Sequence, residues 1–356
     1  MKKTFKIIGS TLGIIILLVL IMYIYLAMGR SSSLRKQRKH MNKLHEMYET
    51  YTERGSNEFS ENDFLNTPFN EVRFLASHNS YKKKNPALGR LFVGLGDSFD
   101  EAKSMKYSNK TLTEQFKNGI YSLELDVRFR KGKFEVTHVP IVDNKSVVVD
   151  FKLALKEIKM FLDNEPNSFP ISVILEIKDD YNFLDPFIKS IGSKQINILQ
   201  GIINEIMDDK LITPNDLLKK EETLQASIDK NGWPLVNDLK GKAMFILHAG
   251  KHADNHNKDT DIETATFFTS TYKNTLHDNS PFVIHNDLDV DSIKALVDNN
   301  KMVRTRIGST LKYNDQDVEK AISSGAQILT TDFSAARSDI NSYLYFNKKF
   351  TIMVKE

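Results

Sequence analysis

His78 and Asn79 stand side by side in the stretch "EVRFLASHNSYKKK", residues 71–84. The apolar run before them stops at Ser77, so an imidazole and an amide sit where a buried strand meets solvent. Glu124 and Asp126 alternate with Leu123, Leu125 and Val127 in "SLELDVRF". His138 closes "FEVTHVP", and Glu176 and Lys178 alternate in "ILEIKDD". Further apolar runs end in His248, His285-Asn286, Arg304/Arg306 and Asp332.

Taken singly, each residue has an ordinary explanation. A histidine at a strand end is usually a structural hydrogen-bonder, and an E-x-D pair can simply face solvent. Strand periodicity changes the weighing, because residues i and i+2 share a side. Glu124 and Asp126 therefore share one face, and their leucine and valine neighbours share the other. If the apolar face meets covering helices, the carboxylates point inward, where burial is costly without a compensating charge. Glu176 faces the same interior. Three converging carboxylates repel, and a divalent cation relieves the repulsion. Asn79 adds a neutral oxygen. An all-oxygen, sulfur-free set suits a hard ion, Ca²⁺ or Mg²⁺. His78 and His138 then flank the metal as a general acid/base pair.

The elements that must position these residues alternate along the chain. Strands are expected at 72–77, 121–127, 134–138, 171–177, 243–248, 282–285, 302–306 and 327–331. Helices are expected at 112–118, 151–163, 186–208, 290–299 and 315–324. Continuous apolar strands such as Ile171–Ile177 are those of a parallel sheet covered on both faces. Eight strands in about 270 residues fit a (β/α)₈ TIM barrel, whose usual size is about 250 residues and whose active site lies at the C-terminal strand ends. The expected organisation is a transmembrane anchor or signal segment over 1–29, then a basic juxtamembrane helix and linker over 30–67. The barrel follows over 68–345, with a tail over 346–356. The stretch 82–111 receives no element.

The order HN, E-x-D, H, E-x-K resembles the catalytic barrel shared by phosphoinositide-specific phospholipases C and glycerophosphodiester phosphodiesterases. More narrowly, it is similar to the calcium-dependent phosphoinositide phospholipase C family of bacteria and fungi. The matching pieces are "ASHNSY", "LELDV", "VTHVP", "ILEIKD", "GWPLVNDLKGKAMFIL", "VRTR" and "SGAQILTTDF", from Phe74 to Phe333. The glycerophosphodiesterase pattern usually begins with His-Arg, so Asn79 favours the calcium-dependent branch. The resemblance implies His78 and His138 as catalytic histidines, and Asn79, Glu124, Asp126 and Glu176 as a Ca²⁺ site, with Mg²⁺ the lesser alternative. It implies Lys178 and Arg304 as phosphate ligands and a phosphatidylinositol-type lipid at a membrane surface as substrate. Diacylglycerol and a cyclic inositol phosphate would be the products. The alternatives are a phosphodiesterase for another alcohol, such as a glycerophosphodiester, and a silent barrel that only binds lipid or protein. The intact histidine and carboxylate set speaks against the last. The family is mainly extracytoplasmic, and that is the side expected here.

The rest of the chain bounds these readings. No cysteine is present, which excludes disulfides, thiolate metal sites and cysteine nucleophiles. Residues 1–45 hold nine Lys/Arg and no acid, leaving 40 basic against 46 acidic side chains elsewhere. The folded part therefore lacks the basic excess of a nucleic-acid binder, and nothing indicates a protein partner. Ile7–Met28 carries no charge and is long enough to span a bilayer. An uncleaved single-pass anchor is expected, with a cleavable signal peptide, and hence a secreted protein, as the alternative. Five positive charges lie over Arg30–Lys39, just after the segment, against three before it, which by the positive-inside rule argues for a cytoplasmic domain instead. His248, His252 and His256 lie four apart in "HAGKHADNH", but Gly250 favours a loop and the H-E-x-x-H glutamate is missing. Lys82-Lys83-Lys84 reads as a solvated run, and residues 82–99 either dock on a bilayer or cover the barrel's top.

Overall fold

The computed structural model describes residues 2–50, 63–308, 315–332 and 352–354. The linker portion 51–62, the barrel stretch 333–345 and most of the expected tail lie outside the described residues. Among the described residues twelve strands form one sheet. They are β1 (Val72–Ser77), β2 (Ile120–Arg130), β3 (Lys133–Val136), β4 (Ile171–Ile177), β5 (Ile188–Lys189) and β6 (Leu211–Ile212), then β7 (Ala243–Leu247), β8 (Phe267–Tyr272), β9 (Phe282–Ile284), β10 (Met302–Arg306), β11 (Ile328–Thr331) and β12 (Ile352–Val354). Eight of them pair in parallel in the order β1-β2-β4-β7-β8-β9-β10-β11, and β11 pairs back onto β1. This is the expected closed (β/α)₈ barrel. β12 runs antiparallel along the start of β1.

The count of eight survives two compensating differences. The expected strand 134–138 is β3, an antiparallel hairpin partner of β2 outside the barrel. Its turn uses Lys131 (φ 49°) and Gly132 (φ 77°), the left-handed pair a tight hairpin favours. The missing barrel strand is β8, "FFTSTY", whose aromatic and β-branched residues are a strand signal without a long apolar run. The stretch 82–111 contains two helices, Ala87–Gly96 and Phe99–Ser104. Lys251–Asp259 is a helix where a loop was expected.

Alternation divides the core. Leu123, Leu125, Val127, Val173, Leu175 and Phe245 face outward. They meet helices such as Phe151–Asn164, which buries Phe151, Ala154, Leu155, Ile158, Phe161 and Leu162 at helical spacing. Asp150 caps that helix by accepting from Leu153 N. The inward residues Phe74, Ile174, Met244, Ile246, Phe268 and Ile328 form a second cluster with Phe69, Phe169 and Trp233 at the barrel floor. The floor is aromatic, with Phe74 and Phe169 ring centres 5.1 Å apart.

Candidate active site

The inward-facing positions that carry apolar residues at the floor carry polar ones at the mouth. Phe74 and Ala76 lead to His78, Ile174 to Glu176, Ile246 to His248, Ile284 to Asn286, and Ile328 and Thr330 to Asp332. A period of two places each mouth residue directly above a buried apolar one. The upper barrel is thus a ring of polar groups on a packed hydrophobic base. His285 points the other way, buried and bonded to Ser292 Oγ at 3.1 Å.

His78 ends β1. Its Nδ1 lies 2.5 Å from Asp332 Oδ1, and Arg306 Nη2 reaches its Nε2 at 2.6 Å. A guanidinium only donates, so Nε2 accepts and the ring proton sits on Nδ1, directed at Asp332. Glu124 Oε1 stands 3.4 Å from the same Nε2. Across the mouth, His138 Nδ1 lies 3.0 Å from Asp143 Oδ2, which is also paired with Lys82. Arg128 fixes the His138 carbonyl through Nε at 3.0 Å and Nη2 at 2.7 Å. Lys82 is only 1% exposed. It is therefore part of the site's support, not of the solvated run expected from sequence.

Between the histidines lie Glu124, Asp126 and Glu176, with one oxygen of each within 4.8 Å of the others. Lys178 Nζ is 2.6 Å from Glu176 and 3.7 Å from Asp126, while Arg304 pairs with Glu124 and Asn286. Burial raises the Glu124 carboxyl, but Arg304 and then His78 outweigh it and hold it at about 2. Asp126 behaves oppositely. Burial, reinforced by Glu176 and Glu124, prevails over Lys178 and His138 and pushes it up to about 6. Both Asp126 carboxylate oxygens are buried without a hydrogen-bond partner among the described residues. Asn79, at φ 44°, is oriented by Tyr81, whose hydroxyl donates to its Oδ1 (3.1 Å), and by donation from its Nδ2 to Tyr107 (3.0 Å). Asparagine tolerates this left-handed backbone better than most residues.

An orphaned, buried, all-oxygen donor set beside two further carboxylates fits a hard divalent cation. Among the described residues it is the group suited to a metal. The spaced histidines are not such a group. His252 faces Asp179 at 3.3 Å, and His256 packs on Phe267, where burial pushes it down to about 4.

A cleft of about 150 Å³ opens over the site, and His78, Asn79, His138, Glu176, Lys178 and Arg306 reach it. Arg304, expected at the phosphate, lies deeper and is 2% exposed. Arg306, two residues on, lines the cleft instead. Lys82, Tyr107, Asp143 and the pairing role of Asp332 were missed. A buried lysine inside a "KKK" run leaves no compositional trace.

The comparisons bear on the family and the fold. A family model described as "Phosphoinositide phospholipase C, Ca2+-dependent" matches residues 128–352. A calcium-dependent phosphoinositol-specific phospholipase C from a Gram-negative Pseudomonas species, an apo-form myoinositol complex, is 18% identical. The match covers 82% of this chain and 96% of that one, with a TM-score of 0.56. A Ca²⁺-dependent phosphatidylinositol-specific phospholipase C from Streptomyces antibioticus is 14% identical, over 80% and 98% of the two chains, with a TM-score of 0.58. At these identities the structures speak for the fold alone. No curated protein matches. The family match spans well over half of the sequence, and the chain belongs to the Ca²⁺-dependent phosphoinositide phospholipase C family of phosphodiesterases.

Proposed function

We propose that the enzyme cleaves phosphatidylinositol-type lipids to diacylglycerol and a cyclic inositol phosphate, with His78 and His138 as base and acid. One observation carries the reading: two His–Asp pairs, from distant parts of the chain, flank a single cleft that Glu176 reaches, with Glu124 and Asp126 clustered beside Glu176. Asn79, Glu124, Asp126 and Glu176 are the residues that would hold calcium. Calcium there supplies positive charge that lowers the pKa of a ring hydroxyl and offsets charge on the phosphate.

The side chains supply the rest. Arg306 turns from His78 Nε2 to a phosphate oxygen when substrate enters, and Lys178 adds a second positive charge at the cleft wall. The freed Nε2 takes the proton of the inositol 2-hydroxyl, and that oxygen bonds to phosphorus. The bond from phosphorus to the glycerol oxygen breaks, and His138 protonates the leaving oxygen from Nε2. Asp332 and Asp143 hold the two rings by their Nδ1 atoms, so each presents Nε2 to the reacting group. A later attack by water, with the roles reversed, would open the cyclic product.

The test uses the full chain in detergent micelles, supplied with phosphatidylinositol or a glycerophosphodiester, under calcium, magnesium or chelator. The expected result is calcium-dependent release of diacylglycerol with a cyclic phosphate in the phosphorus NMR spectrum. Cleavage of the glycerophosphodiester with phosphatidylinositol untouched, or turnover indifferent to chelator, would overturn the reading.

A further inference from the structure

The N-terminal helix, Lys2–Glu49, is continuous and has two different halves. Ile8, Leu12, Ile14–Ile21, Ile24 and Tyr25 are exposed apolar side chains. Residues 8–25 rise about 27 Å at about 1.5 Å per residue, close to the roughly 30 Å of a bilayer core. From Leu26 onward the same helix is packed on the barrel, with Leu26, Met41, Leu44 and Tyr48 buried.

The packed half runs from mouth to floor. The Leu26 carbonyl accepts from Asn144 Nδ2 at 3.1 Å, next to the Asp143 that holds His138. Arg30 pairs with Glu135. The Gln37 side chain accepts from Val149 N and Asp150 N at 2.9 and 2.8 Å and donates to Asp150 O. His40 meets Glu157 at 2.9 Å. Tyr48 lies under Lys117, at the end of the helix Leu112–Lys117 that leads into the start of β2. The exposed apolar half therefore leaves the barrel from the mouth end. The helix Ala87–Gly96 packs at the same point, where a Cβ on Gly89 would collide with the Val142 carbonyl and lie near Leu26. It turns outward Leu91 (47% exposed) and Leu95 (69%), followed by Phe99 (65%), and Phe183 (82%) follows β4 at the same end.

We propose that the N-terminal helix is a retained membrane anchor whose barrel-packed half clamps the catalytic mouth against the bilayer it spans, so that lipid is taken from that same membrane. Cleavage near Ala27–Gly29 would cut within the packed segment and remove the Leu26–Asn144 contact, which argues against a signal peptide. No flexible linker separates span from clamp, so the mouth's direction is set by helix geometry and not by diffusion on a tether. Tyr23 and Tyr25 fall at the depth where aromatic side chains favour the interface. Leu91, Leu95 and Phe99 then face headgroups, where exposed apolar side chains insert. The substrate half of the proposal rests on the lipase reading above; the orientation does not.

The test reconstitutes the full chain in phosphatidylcholine vesicles that contain brominated lipid. The native Trp233 lies at the floor, bonded to Asn300 O at 2.8 Å, and should keep its emission. The indole introduced by Leu95→Trp should lose emission to bromine. Equal quenching of parent and variant, or a mature chain that begins near residue 28, would overturn the proposal. Quenching requires no turnover, so it reports on orientation even if the lipase reading fails. With phosphatidylinositol added, hydrolysis should be confined to the enzyme's own vesicles. A Gly/Ser linker inserted between Tyr25 and Leu26 should lower it by roughly tenfold or more through lost effective concentration, while turnover of a short-chain soluble substrate stays unchanged. Own-vesicle hydrolysis undiminished by the linker would overturn the clamp.

Discussion

The two histidines at the mouth are supported in different ways. His78 ends a barrel strand, and its partner Asp332 follows the strand that closes the barrel beside it. Backbone pairing sets their separation, with His78 N donating to Thr331 O at 2.9 Å. His138 stands outside the closed sheet, after the β2–β3 hairpin. It is held by side-chain charges: Asp143, Lys82 and Arg128. One lip sits directly on the ladder of the barrel, and the other, tied to it by Thr137 N donating to Asp126 O at 3.1 Å, leans on a buried ionic network. Ladder bonds are local and cooperative, whereas a buried charge is stable only while its partner is present. The His138 lip should therefore be the more fragile.

The largest expected effect tests that asymmetry. Asp143→Asn leaves the fully buried Lys82 ammonium without its anion and should cost about 3–5 kcal/mol of stability, read as a shifted urea midpoint. Asp332→Asn should shift the midpoint far less while still impairing turnover, because the ladder keeps His78 in place. Equal midpoints for the two variants would remove the distinction between the lips. pH sharpens it. Burial raises the Asp143 carboxyl, but Lys82 and then His138 outweigh it and hold the group below the ordinary aspartate range. A carboxyl depressed in the folded state adds stability above its unfolded value of about 4 and loses it as pH falls through the folded value. The stability gap between wild type and Asp143→Asn should thus be full at neutral pH and shrink progressively below about pH 4.

The second effect concerns chemistry, where the lips should be equal. His78→Ala and His138→Ala should each lower turnover by about two orders of magnitude or more, with the fold retained by circular dichroism. His252→Ala should change little, because His252 pairs with Asp179 and does not line the cleft. If His252→Ala were as damaging as His138→Ala, the acid/base assignment would fail.

The smallest effect lies between the lips. Asp126 is buried, and its closest charge partner, Lys178, stands at 3.7 Å, beyond hydrogen-bond distance. In calcium-free buffer at neutral pH, Asp126→Asn should gain about 1 kcal/mol by removing a poorly satisfied charge. Wild type should melt higher when calcium is added, and the variant should lose both that shift and its activity. A variant that still responds to calcium would mean that the cation sits elsewhere.

The floor and the wall of the barrel were legible in the sequence because their signals are local. Alternation of leucine with Glu124 and Asp126 defines which side chains turn inward, and the largely apolar segment Ile171–Leu175 identifies a strand covered on both faces. His78 and Glu176 follow as mouth residues by the same logic, whereas Asn79 reaches the mouth from a left-handed turn after β1 and His138 from the end of a hairpin strand. β8 escaped because Phe267–Tyr272 mixes aromatic with hydroxyl side chains. β3 reads as a barrel strand because a hairpin strand and a barrel strand share the same period.

By itself, the sequence determined the periods: which residues share a face of a strand, which face each helix buries, and that an uncharged run precedes them. Only the tertiary structure decided the partners. Lys82 meets Asp143 across 61 residues, His78 meets Asp332 across 254, and Arg304 meets Glu124 across 180. Those meetings depend on how the barrel closes and on the hairpin folded over its rim, and no local spacing encodes them. The same holds for the N-terminal helix. Its apolar length is written in the chain, but its exit from the mouth side of the barrel comes from the contacts of Leu26, Arg30 and Gln37 with β3 and the loop after it, more than a hundred residues away.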